Sequence, residues 1–204
     1  SRRILPHVVP DSKVVKLRYV DIVPINAGPT NTAVLIFRAN SINDPDHAIG
    51  GHQPLGHDQW ANFYDHYTVI GAKITCRFTA SLTSGTQGAT IVGIMLKDNA
   101  TTISSPRNIM EQGTSGYKVL TGANAGGTTT VSKGFSTKKF FGLKDVSDNR
   151  SLVGVAMNAD PPEDAYFHVY VASIDGTSDP GITNVLVTIQ YIVKLTERKA
   201  LGES

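Results

Sequence analysis

The sequence predicts an all-β chain, an eight-stranded antiparallel sandwich, and three observations lead there. Apolar and polar residues alternate with a period of two over several segments, the mark of strands with one buried face. No strand–helix alternation runs through the chain, which disfavours a parallel α/β sheet. The connections between the strand-like segments are short and long in strict alternation.

In chain order, Val15, Leu17 and Tyr19 form the first apolar row, with Lys16 and Arg18 opposite. Residues 32–38 are a second candidate strand. Asp58 is placed to cap a short helix reaching Tyr64. Ile70, Ala72, Ile74, Cys76 and Phe78 make the next row, backed by Lys73, Thr75 and Arg77. Strands are expected over 89–97, 116–121, 128–135 and 165–174, and a short helix from Ser105-Pro106 to Gln112 has Pro at its first position. The longest row is Val185, Val187, Ile189, Tyr191, Val193 and Leu195, backed by Thr188, Gln190 and Lys194. These segments are rich in β-branched and aromatic residues, as strands are.

Connections 24–29, 81–88, 122–127 and 175–181 are short, whereas 40–65, 98–115 and 137–164 are long. In a jelly-roll, successive connections fall at opposite ends of the sandwich, so one end has tight turns and the other elaborate loops. The result is a tapered wedge whose narrow end can crowd around a symmetry axis. An up-and-down barrel tends instead to favour tight hairpins throughout. The expected organisation is an arm over 1–12, one jelly-roll domain over 13–196 and a tail over 197–204.

Composition narrows the function classes. With 204 residues, 40% hydrophobic and 18% charged, the chain can bury a sizeable core. Its net charge of +2 argues neither for nor against nucleic acid. The lone Cys76 allows no intrachain disulfide and is expected to be buried and inert. No apolar run approaches the ~20 residues of a membrane span. Nor is there the apolar stretch of a signal peptide, so secretion is not expected and the triplets at Asn99 and Asn149 read as chance. Neither a nucleophile elbow nor a phosphate-binding glycine loop occurs, so no enzyme activity and no cofactor are expected.

Gly51-His52-Gln53-Pro54-Leu55-Gly56-His57-Asp58-Gln59-Trp60 leads into Phe63-Tyr64-Asp65-His66-Tyr67-Thr68-Val69-Ile70-Gly71-Ala72-Lys73-Ile74. This stretch resembles a segment of the capsid proteins of small circular Rep-encoding single-stranded DNA viruses, the circovirus-like group. The resemblance implies a jelly-roll coat protein that self-assembles, commonly as about sixty copies, into an icosahedral shell around single-stranded DNA. It places the protein in the virion, and in the host nucleus or cytoplasm during assembly. It also implies an arginine-rich N-terminal arm, of which Arg2 and Arg3 are the remnant in a chain that opens on Ser1. Coats of small RNA and satellite viruses share the architecture. The other readings are a lectin-like or tumour-necrosis-factor-like binding module and a cupin-type enzyme, the latter disfavoured because the histidines gather in a loop.

Candidate nucleic-acid contacts are Lys16, Arg18, Lys73, Arg77 and Lys194, with Lys133 as an addition, since four of the predicted strands share a jelly-roll sheet, together with Arg2, Arg3 and Lys13 just upstream. The plain alternative is a face of solvated or paired charges. Lys138 and Lys139 open a long loop where they are candidates for a polyanion outside a particle. Candidate subunit contacts are Trp60, Phe63 and Tyr64, with Gly85, Gly126, Gly127 and Gly176 in the tight turns. The aromatics, joined by Tyr67, have helix-like spacing and equally suit a face that pins the loop to the sandwich. His47, His52, His57 and His66 read as loop histidines rather than metal ligands. Asp145, Asp148, Asp160, Glu163, Asp164, Asp175 and Asp179 read mainly as turn residues, with calcium the weaker reading.

Overall fold

The computed structural model describes residues 8–48, 50–81, 88–122, 127–146, 149 and 154–200. Its strands are β1 (Ser12–Asn26), β2 (Thr32–Arg38), β3 (Tyr64–Ala80), β4 (Thr90–Lys97), β5 (Ser115–Leu120), β6 (Thr128–Ser136), β7 (Gly154–Ala156), β8 (Tyr166–Ser173) and β9 (Ile182–Arg198). Three short helices interrupt the long connections: α1 (His57–Ala61), α2 (Pro106–Glu111) and α3 (Thr137–Phe140). All eight expected strands are present, and β7 is an addition within the last long connection.

The first sheet runs β1-β9-β3-β6, with β7 also paired to β3, and the second runs β2-β8-β4-β5. Every pairing is antiparallel. Among the eight expected strands, only β4 and β5 are both consecutive and paired, which separates this jelly-roll from an up-and-down barrel. Asn26 lies opposite Ile182, Ala80 opposite Thr183 and Thr79 opposite Thr128. The four short connections therefore share one end of the sandwich.

Period-two alternation puts Val185, Val187, Ile189, Tyr191, Val193 and Leu195 of β9 in the core with Phe37, Ile74, Cys76, Phe78, Val92 and Val169. β8 is buried along its whole length because its second face is also covered. There Ile91, Met95, Ile109 and Tyr170 form a satellite cluster with Val34, Ile103 and Met110, under the connection that carries α2.

Three local expectations need correction. The pairing register shifts between Val69 and Gly71, so Val69 takes the core position and Ile70 is only half-buried. Helix α1 ends at Ala61, and Gly56, at φ 92, stands at its N-cap, while Asp58 instead meets the His57 ring. The aromatic spacing is therefore no helical face: Trp60 lies on α1, but Tyr64 and Tyr67 lie on β3. Helix α2 does follow its signal, since the Ser105 side chain accepts the Asn108 N–H and Pro106 occupies the first turn.

Candidate nucleic-acid interface

The outward face of the first sheet follows from strand register. Arg18, Gln190, Lys73 and Gly134 stand side by side in one row. The next row toward the long loops is Lys16, Ile192 and Gly71, followed by Val14, Lys194 and Thr68. In the other direction come Val20, Thr188, Thr75 and Ser132, and then Ile22, Leu186, Arg77 and Thr130. With strands about 4.8 Å apart and alternate residues about 6.7 Å apart, the Cα atoms of Lys16, Arg18 and Lys73 lie within roughly 12 Å of one another.

These rows gather five of the predicted cations, Lys16, Arg18, Lys73, Arg77 and Lys194, and contain no Asp or Glu. Among the described residues, Lys16, Arg18, Lys73 and Arg77 form no ion pair. Three other described cations are ion-paired: Arg38 lies 2.7 Å from Asp44 and 3.7 Å from both Asp160 and Asp164, Arg198 lies 2.9 Å from Asp11, and Lys199 lies 3.4 Å from Asp65. Four positive charges on this face are therefore uncompensated within the chain.

Its surface is concave. Lys16, Arg18, Lys73, Gln190 and Ile192 line a depression of ≈ 570 Å³. Beyond the Lys16 row, Val14, Ile70, Lys194, Lys138, Lys144 and Asp145 line a second of ≈ 930 Å³. Lys138 and Lys144 were not legible as members of this site, because α3 and the loop after it bring them there and no strand period marks either. Lys139 lines a different depression with Leu96 and Phe140, so the Lys138-Lys139 pair divides between two surfaces.

Two predicted cations do not join the face. Lys13 stands opposite the buried Leu195, on the inward side of β1, and its Nζ sits 5.3 Å from the Trp60 ring centroid. It shares the odd-numbered parity of Leu17 and Tyr19, a signal already present in the sequence. Lys133 stands opposite the buried Ile74 and likewise belongs to the inward side. Arg2 and Arg3 lie outside the described residues, as do Gly85, Gly126 and Asp148.

The described residues among the remaining candidates make contacts within the chain. Tyr64 is fully buried and donates its hydroxyl proton to the Pro10 carbonyl, so its side chain presents no outer surface. Trp60 packs between the rings of Phe63 and Tyr64, and Phe63 is 40% exposed. A Cβ on Gly127 would collide with the Thr121 carbonyl, and Gly176 has φ 68, so each glycine has a local reason for its place. Cys76 is buried, and burial raises the pKa of its thiol.

The histidines go separate ways. His52 stacks on Tyr19, His47 meets the edge of Tyr166, His57 bonds the Met157 carbonyl, and His66 faces Glu197. Asp160 and Asp164 turn to Arg38, whereas Asp175 accepts hydrogen bonds from Ser173, Thr177 and Ser178 that order its turn. Among the described residues no three metal-binding side chains converge.

No family model and no curated protein sequence matches the chain. Solved structures do resemble it. The BFDV capsid protein in its 60-mer form aligns over 95% of this chain and 97% of its own, with a TM-score of 0.51 and 11% identity. Mud crab tombus-like virus aligns over 99% and 96%, with a TM-score of 0.49 and 11% identity. Desmodium yellow mottle tymovirus aligns over 100% and 98%, with a TM-score of 0.48 and 12% identity. At this identity the likeness concerns the fold alone, an antiparallel jelly-roll of the kind that the BFDV capsid protein has.

Proposed function

We propose that this chain is a viral coat protein whose activity is self-assembly into a closed icosahedral shell, with a structural rather than an enzymatic role. The BFDV relative forms a 60-mer, and a shell of that size suits a single compact jelly-roll. The outward face of the first sheet contacts the packaged nucleic acid through its phosphates. The observation that carries this reading is the contiguous set of cations with no carboxylate among them, four of which have no ion pair within the chain. Such a surface binds a polyanion by releasing its counterions, with little reading of base sequence. The resemblance of 51–74 to circovirus-like capsids supports single-stranded DNA as the genome. The basic arm with Arg2 and Arg3 adds further phosphate contacts.

The test is to purify the chain from cells and examine it by light scattering and electron microscopy at neutral pH and moderate salt. Closed particles of about 20 nm are expected. Their nucleic acid should resist external nuclease until the particle is opened, and then yield to DNase rather than RNase. RNase-sensitive cargo would keep the coat-protein reading and overturn the genome type. A monomer or trimer unchanged by added single-stranded DNA would overturn the whole reading in favour of a binding module.

A further inference from the structure

His168 stands mid-strand on β8 with its side chain 1% exposed. Its neighbours in register are Ile36 on β2 and Met95 on β4. Phe167 and Val169 belong to the sandwich core, so His168 faces the opposite way, under the connection from β4 to β5. Nε2 lies 2.9 Å from the Asn99 carbonyl of that connection. A carbonyl only accepts, so the neutral ring carries its proton on Nε2 and leaves Nδ1 bare. Nδ1 is buried without a hydrogen-bond partner.

The surroundings are hostile to a second proton. The row beside His168 carries Arg38, Tyr166 and Lys97, and the row on its other side carries Val34, Tyr170 and Gly93. His47, from the connection after β2, and Lys97 both oppose positive charge on the ring, adding to the cost of its burial. Asp44, Asp160 and Asp164 are turned to Arg38, the Tyr166 hydroxyl donates to Asp164, and Asp98 accepts the Asn99 amide. The same overlying connection lays Ile103, Ile109 and Met110 against Ile91, Met95 and Tyr170.

We propose that His168 is an acid-released latch: neutral, it holds the segment 98–114 on the second sheet through Asn99, and protonated, it drives that segment off. The added proton goes to Nδ1, where it meets no acceptor and creates a cation among like charges. Lifting the segment admits water to that cation and bares the apolar patch of Ile91, Met95 and Tyr170. Burial lowers the folded pKa of His168 below 6.5, so the closed state is fully favoured above that value and loses stability as pH falls through it.

The test is hydrogen exchange on the full chain at about pH 7.5 and about pH 5, corrected for intrinsic rates. Amides of 98–114 should exchange on the order of tenfold faster in acid, with β3 and β9 unchanged. His168→Phe and His168→Gln should both remove that difference; the second keeps a donor for Asn99 if the first fails to fold. In the unsubstituted chain the His168 ring, followed by NMR, should titrate below 6.5. Equal protection of 98–114 at both pH values, or a ring titrating at or above 6.5, overturns the latch.

Discussion

Replacing Arg18 and Lys73 together by Gln removes two cations from one row of the outward face, separated there only by Gln190. Both side chains are exposed and unpaired, so the substitution should change folding stability by no more than about 0.5 kcal/mol. The effect belongs in binding. If the five cations of the face each neutralise one phosphate, log affinity for single-stranded DNA falls against log salt with a slope of about −3.5. Between about 50 and 200 mM salt that is roughly a 130-fold loss. Three remaining contacts give a slope of about −2.1 and a loss of roughly 18-fold over the same range. Fluorescence anisotropy with a short labelled oligonucleotide, titrated at several salt concentrations, measures both slopes. Assembly-independent binding is read at protein concentrations where light scattering shows no particles. An unchanged slope in a folded double variant would refute the assignment of this face to phosphate.

The fold makes its own predictions. Phe37→Ala, at a position 1% exposed, should cost about 3–5 kcal/mol by denaturant unfolding. Gly93→Ala places a Cβ 2.5 Å from the Tyr170 hydroxyl and 2.6 Å from the Gly116 carbonyl, and the backbone oxygen cannot yield; about 1–3 kcal/mol should be lost in the same assay. Hydrogen bonds from Ser178, Thr177 and Ser173 hold the Asp175 carboxyl well below its ordinary 3.8. Its hold on the turn is therefore complete above that value and disappears as pH falls through the lowered one, which acid-range hydrogen exchange over 175–178 will register. Cys76 should react with thiol reagents only as fast as the chain opens, and rapid labelling of the native protein would contradict its burial.

The sandwich was legible where one face of a strand is apolar over many residues. The β9 row from Val185 to Leu195 could be read directly because the opposite residues stay polar. β7 could not, since three residues offer no period and its pairing to β3 depends on a distant loop. Ile70 was misread because a bulge changes which face a residue takes without altering composition. Within the candidate site, alternation correctly grouped Lys16 with Arg18 and Lys73 with Arg77. The same rule excludes Lys13 and Lys133, whose partners Leu195 and Ile74 are buried. Lys138, Lys144 and His168 depend on how long connections fold back over sheets, and neighbouring residues carry no sign of that.

Arg38 has a consequence for altering the long connections. It binds Asp44 from the connection after β2, and Asp160 and Asp164 from the one before β8. Asn40 reinforces the tie through the Glu163 carbonyl and the Ala165 amide, and Ser41 does so through Asp160. Two stretches more than a hundred residues apart in sequence are thereby one unit of inheritance. A loop grafted from another jelly-roll, or a foreign segment spliced into one of them, brings a foreign set of carboxylates to a guanidinium matched to these. Exchange that moves both connections together should yield folded chimaeras far more often than exchange of either alone.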